Sequence, residues 1–140
     1  MEYIKPGEFL KQPEKVQEVF RKWWKPEMYD LFFRNFGNNP NNFLRGTYIG
    51  CIQDNETKIN ATKDKTWLPI LTEGQLRKFI EDKTASFIST KYNFDGYTVY
   101  TTDELTIESD DINFKKEFNT IETNLLLAYW YVACQIAEEG

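Results

Sequence analysis

Residues 124–140 read NLLLAYWYVACQIAEEG, and positions 125–134 are ten apolar side chains without a break. That run is too long for a single strand, which typically spans about 4–8 residues, so the period predicts a helix. Ile121, Leu125, Ala128, Val132 and Ile136 fall on one stripe, and Leu126, Trp130, Ala133 and Ala137 on a second beside it. A helix that is apolar all round is buried by several neighbours. Asn119 with Glu122 three residues on has the form of a capping box, so the expected helix covers residues 120–138 and lies centrally, between a sheet and the other helices. A second reading gives the face around Trp130 and Tyr131 to another subunit or a partner, and a homodimer is one form this would take.

Outward from that segment, the chain is expected to be a single domain, 1–140, because 140 residues with 41% apolar and 16% aromatic content can bury a core without staples. PEKVQEVFRKWWK, residues 13–25, places Val16, Val19, Phe20 and Trp23 at helical spacing, with Pro13 in the first turn and Pro26 as a stop. MYDLFF (28–33) and FLRGTYIGCI (43–52) read as strands, the second bent at Gly46 and Gly50. NFGNNPNN (35–42) is a loop, QDNETK (53–58) a turn, and residues 59–65 a weak returning strand or a loop. In WLPILTEGQLRKFIEDKT (67–84), Thr72 and Gln75 form a capping box, and Leu76, Phe79 and Ile80 the apolar stripe of a helix over residues 73–82. Gly74, in its first turn, weakens the helix or leaves a gap through which a ligand approaches. ASFISTKY and YTVYTT flank an Asp95-Gly96 turn, ELTIES (104–109) adds a third strand, and DDINFKKEFN is a polar connection. The fold class is therefore α+β: three helices on a small antiparallel sheet of three to five strands, with the C-terminal helix central.

Composition excludes several chemistries. The chain has no histidine, so Ser-His-Asp and Cys-His pairs and imidazole metal ligation are absent. No phosphate-cradling glycine motif occurs, and DELTIESDD (103–111) lacks the spacing of a calcium loop. Cys51 and Cys134 form no framework of paired spacings, and Cys134 reads as a buried thiol. These features predict no enzyme activity, no catalytic residues, no metal and no cofactor. MEYIKPGEFLKQ has no apolar stretch of signal-peptide length, and ten apolar residues fall short of the ~20 of a membrane span, so no membrane association is expected and the cytoplasm is the expected location.

Charge is unevenly placed. Residues 1–92 hold 15 Lys/Arg against 12 Asp/Glu, whereas residues 93–140 hold 2 against 10. Such a split predicts one acidic face, which repels nucleic acid and attracts basic partners. Its densest part is DELTIESDD, whose Asp103, Glu104, Glu108, Asp110 and Asp111 are either a charged edge strand that resists aggregation or a surface that enters a basic groove. FRKWWK (20–25) mixes bases with aromatics as single-strand binders do, but its helical spacing explains it as an amphipathic face, so direct nucleic-acid binding is not expected. Trp24 is set beside that stripe at a rim position and joins the candidate partner-contact residues.

WWKPEMYDLFF (23–33), LPILTEGQLRKFIEDKT (68–84) and LLLAYWYVACQIAEEG (125–140), in this order and spacing, resemble a family of small proteins encoded in phages and prophages of low-GC Gram-positive bacteria. The matching blocks cover about a third of the chain. That resemblance implies a phage accessory protein acting inside the infected cell, in the host cytoplasm, and it brings no catalytic motif to transfer. Together with the acidic half it leads to a protein that binds and inhibits a host protein with a basic groove, a CRISPR-type defence nuclease being the favoured target. Two alternatives stand beside it. One is a protein that sequesters a nucleotide defence signal, with Trp24, Trp67 and Tyr97 as aromatic walls and Arg45, Arg77 or Lys78 on phosphates. The other is a virion or assembly component that self-associates through the Trp130 face.

Overall fold

The computed structural model describes residues 2–35, 47–102 and 114–140. The chain divides into two compact units, one of Lys5–Leu71 and one of Thr72–Gly140 joined by Met1–Ile4. Among the described residues these hold five helices and two three-stranded antiparallel sheets, so the α+β class stands with more elements than the sequence suggests.

In the Lys5–Leu71 unit, α1 (Pro6–Leu10) and α2 (Glu14–Trp23) come first. Val16 and Phe20 bury the inner stripe of α2 as their spacing predicts, whereas Pro13 is the N-cap rather than a first-turn residue. The helix stops at Trp23: Trp24 is already extended (φ −65°, ψ 121°), one residue before the Lys25-Pro26 step that forbids helix. β1 (Leu31–Asn35) is the central strand, paired antiparallel with β2 (Thr47–Cys51) on one side and β3 (Trp67–Pro69) on the other. Alternation along β1 puts Phe32 and Arg34 on one face and Phe33 on the other, where Phe33 is fully buried and meets Phe9 edge-on at 5.6 Å. Residues 55–63, expected to be a turn followed by a strand or loop, instead form α3 (Asn55–Lys63). Asp54 caps it, accepting from the Thr57 N–H at 2.7 Å and the Thr57 hydroxyl at 2.6 Å. These bonds from Thr57 hold the Asp54 carboxyl below the usual carboxylate range. The helix is hard to see in sequence because only Ala61 is buried and Ile59 points to solvent.

In the second unit, α4 (Glu73–Thr84) carries the expected capping box, with Thr72 accepting from the Gln75 N–H and the Gln75 side chain accepting from the Thr72 N–H. Leu76, Phe79 and Ile80 are fully buried. A Cβ added at Gly74 would meet nothing within 4 Å. Gly74→Ala should therefore raise stability by about 0.5–1 kcal/mol, read by urea denaturation, through a lower helix cost and no new contact. A loss of stability would mean that the first turn is not built as described.

β4 (Phe87–Asn93) and β5 (Gly96–Thr102) form the expected hairpin around a two-residue Phe94-Asp95 loop. The expected third strand at residues 104–109 lies outside the described residues. β6 (Phe114–Asn119), expected as a polar connection, pairs with β5, which is central in the order β4-β5-β6 among the described residues. Asn93, Thr98 and Asn119 form a cross-strand ladder: the Asn93 amide donates to the Thr98 hydroxyl (2.9 Å), which donates to Asn119 Oδ1 (3.0 Å).

That ladder, together with Thr120, moves the start of the last helix. Asn119 is committed to Thr98, and the Thr120 N–H and hydroxyl both donate to the Tyr97 carbonyl at 3.1 and 2.7 Å. The chain therefore follows β5 through Glu122, whose carbonyl accepts from the Tyr97 N–H. The expected Asn119/Glu122 box does not form. α5 runs Leu125–Glu139 with Asn124 as N-cap, its side chain accepting from the Leu127 N–H at 3.2 Å. Eight of its residues are buried and it packs on α4 and β5, while Leu127 and Tyr131 face solvent at 39% and 52% exposure. Trp130, placed by one sequence reading on an interaction face, is inside at 6%.

Candidate functional site

The two units differ in charge. The Lys5–Leu71 unit has 11 Lys/Arg and 8 Asp/Glu, a balance of +3, and the other has 6 and 14, a balance of −8. The sequence's charge split thus follows the division of the fold. Asp103, Glu104, Glu108, Asp110 and Asp111 lie outside the described residues. The acids that are described in that unit are largely at the surface: Asp95 on the hairpin loop, Glu117 on β6, and Glu138 and Glu139 on the last turn of α5 are all exposed. Lys116 answers only part of this, meeting Glu139 at 3.4 Å.

Trp24 requires correction. It is buried, 6% exposed, in a core cluster with Phe32, Ile52, Ala61 and Trp67, and its indole N–H donates to Asp30 Oδ2 at 3.2 Å. A rim position follows from a helix continued through Trp24. With the helix ended at Trp23, the extended backbone turns the ring inward. Trp24 does not line a contact surface.

The residues proposed in sequence for a nucleotide are divided between the two units. Trp24 and Trp67 belong to one unit, Tyr97, Arg77 and Lys78 to the other, and Arg45 lies outside the described residues. Arg77 is engaged by Glu81 Oε1 (2.9 Å) and the Ile88 carbonyl (3.3 Å), and the Glu81 bond raises its pKa further.

What the structure does assemble is a cleft of about 270 Å³ lined by Arg34, Asn60, Lys63, Asp64 and Trp67. Arg34 and Trp67 are brought together by the β1–β3 register, and Asn60, Lys63 and Asp64 by the end of α3. Phe32 stacks on Trp67 with ring centroids 4.3 Å apart and planes at 25°, and the Arg34 guanidinium lies 5.0 Å from the Trp67 centroid. Asp64 Oδ2 is 3.5 Å from Arg34, and Oδ1 accepts from the Thr66 N–H (2.9 Å) and hydroxyl (2.8 Å). The Thr66 N–H above all, with Arg34 adding, holds the Asp64 carboxyl below its ordinary range. Arg34, Asn60, Lys63 and Asp64 were not recognised as a group in sequence. The trace was there, since Phe32 and Arg34 alternate onto one face of a strand, but nothing local says that Trp67 pairs beside them.

Elsewhere, burial pushes the Cys134 thiol up to about 12, with Glu138 adding, so that thiol stays protonated and unreactive at neutral pH. Among the described residues no group of three or more Cys, Asp or Glu side chains is placed to hold a metal, and no helix is long and apolar enough to cross a membrane. By fold and charge this is an α+β protein of two compact units, one of them strongly acidic. No protein-family model, curated protein or solved structure matches the chain.

Proposed function

We propose that this chain is a non-enzymatic phage accessory protein that binds and blocks a host protein carrying a basic groove, with a defence nuclease of the CRISPR type as the favoured target. The observation that supports it is the −8 balance concentrated in one compact unit. A groove that binds nucleic acid draws affinity from phosphates and released counterions, and a rigid acidic protein competes for the same cations. Like charges in that unit also repel nucleic acid itself, and the field steers a basic partner toward it. The setting is what the resemblance of the three sequence blocks to phage-encoded proteins implies.

Reversing Glu104, Glu108, Asp110 and Asp111 to Lys takes the unit from −8 to 0, eight charge units for four residues. In affinity purification of the tagged protein from host lysate at low salt, the wild type should retain a stoichiometric protein that high salt releases. The reversed variant, with an unchanged circular-dichroism spectrum and melting point, should lose it. With the isolated partner, the association rate should fall by about 10–10³-fold on reversal. Retention that ignores both salt and reversal would overturn the reading.

A further inference from the structure

We infer that the cleft between the end of α3 and the β1–β3 edge is a binding site for a nucleoside monophosphate. It belongs to the basic unit and does not rest on the acidic-surface reading above.

The cleft is walled by a stack. Trp67 meets the buried Phe32 ring at 4.3 Å between centroids and the Arg34 guanidinium at 5.0 Å, and Arg34 and Trp67 border the cleft. A guanidinium so held is a planar, cationic platform, and a heteroaromatic base is the kind of ring that stacks on one. Arg34 remains 29% exposed and borders the cleft. Its charge is balanced by Asp64, whose carboxylate the Thr66 bonds keep ionised, so the net positive charge of the opening is that of Lys63.

The remaining charge is Lys63. It is exposed, it borders the same cleft, and among the described residues no acid lies within ion-pair distance of it. Asn60, three residues earlier on α3, adds an amide beside it, a group that both donates to and accepts from a base edge. The end of a helix ordinarily repels anions, but here the Asn60 carbonyl is taken by the Asp64 N–H at 2.9 Å and Lys63 stands in the last turn. A stacking platform, an amide and one ammonium together match a planar base joined to a phosphate. At about 270 Å³ the cleft is just below the ~300 Å³ at which pockets for drug-sized ligands begin, which suits one nucleotide held partly open to water and not a chain of them.

The test is titration of the full chain with AMP, followed at the Trp67 indole N–H resonance, with adenosine, inorganic phosphate and a 5′-phosphorylated diadenylate in parallel. AMP should shift that resonance with a Kd between about 0.1 and 1 mM. Adenosine and phosphate should each bind at least about ten-fold more weakly. Lys63→Ala, a change at an exposed site, should weaken AMP about ten-fold to the level of adenosine, while Lys58→Ala on the same helix but outside the cleft should change nothing. Arg34→Lys, which keeps charge but not the planar platform, should abolish the preference for AMP over phosphate. No shift at 10 mM AMP, in the range where binding of this strength saturates, or AMP binding indifferent to Lys63→Ala, would overturn the assignment. Diadenylate binding ten-fold tighter than AMP would also overturn it, by making the cleft part of a strand-binding groove.

Discussion

Gly96→Ala is expected to destabilise the protein by roughly 3 kcal/mol, a fall in melting temperature of about 6–12 °C. Two independent costs act at this position. Gly96 has φ +143°, a backbone conformation L-residues rarely adopt, and holding a side-chain-bearing residue there costs on the order of 1–3 kcal/mol. A Cβ would also lie 2.6 Å from the Thr120 carbonyl oxygen, 2.8 Å from the Ile121 carbonyl carbon and 3.0 Å from the Glu122 nitrogen. All three are backbone atoms, so no side chain can rotate away. Nor can the segment easily retreat, because Tyr97 donates to the Glu122 carbonyl and accepts from the Thr120 N–H and hydroxyl. Any shift would break these bonds two residues before the Asn124 cap of α5. The contrast with Gly74→Ala, predicted to stabilise, makes the pair a sharp test: the same chemical change should have opposite signs in one unit. A Gly96→Ala variant within 0.5 kcal/mol of wild type by urea denaturation would mean that residues 120–122 do not run against the hairpin.

That close approach also marks where sequence reading stops. Elements written in local chemistry are legible: the Thr72/Gln75 box opens α4, the Val16 and Phe20 spacing builds α2, and the turn signal at Asp95-Gly96 closes a hairpin. What is not legible depends on distant partners. Asn119 and Glu122 satisfy the capping pattern as well as Thr72 and Gln75 do, yet Asn119 is claimed by Thr98, twenty-one residues away, and the helix starts later. FKKEFN looks polar because few of its described side chains are buried: Phe118 is inside, while Glu117 is exposed and Lys116 lies over the Phe118 ring with its ammonium at the surface. α3 is a polar helix held by one cap and one buried alanine, which leaves no hydrophobic period to find. For function the limit is similar. The charge split was readable and follows the units, whereas the Arg34–Trp67–Lys63 grouping depends on strand register and on a helix the sequence concealed.

Trp24 is where the difference between the two readings is largest in energy. As a rim contact, Trp24→Ala would cost a few tenths of a kcal/mol, the usual range for surface changes. As the structure has it, the ring is a principal member of the cluster with Phe32, Ile52, Ala61 and Trp67, and Trp23 packs against that cluster. Truncation then leaves a void in a close-packed interior and should cost about 3–5 kcal/mol. Trp24→Phe separates packing from polarity. It keeps most of the ring but removes the indole N–H that donates to Asp30, leaving that carboxylate the Glu27 N–H at 3.0 Å as its other partner. Its expected cost is about 1–2 kcal/mol, part smaller ring and part lost hydrogen bond to a charged group. The ordering wild type, Trp24→Phe, Trp24→Ala in urea midpoints is therefore the expected result. If Trp24→Ala unfolds at the wild-type midpoint, the core around Phe32 is misassigned. If stability falls as expected, the ring is part of the core and its truncation says nothing about a contact surface.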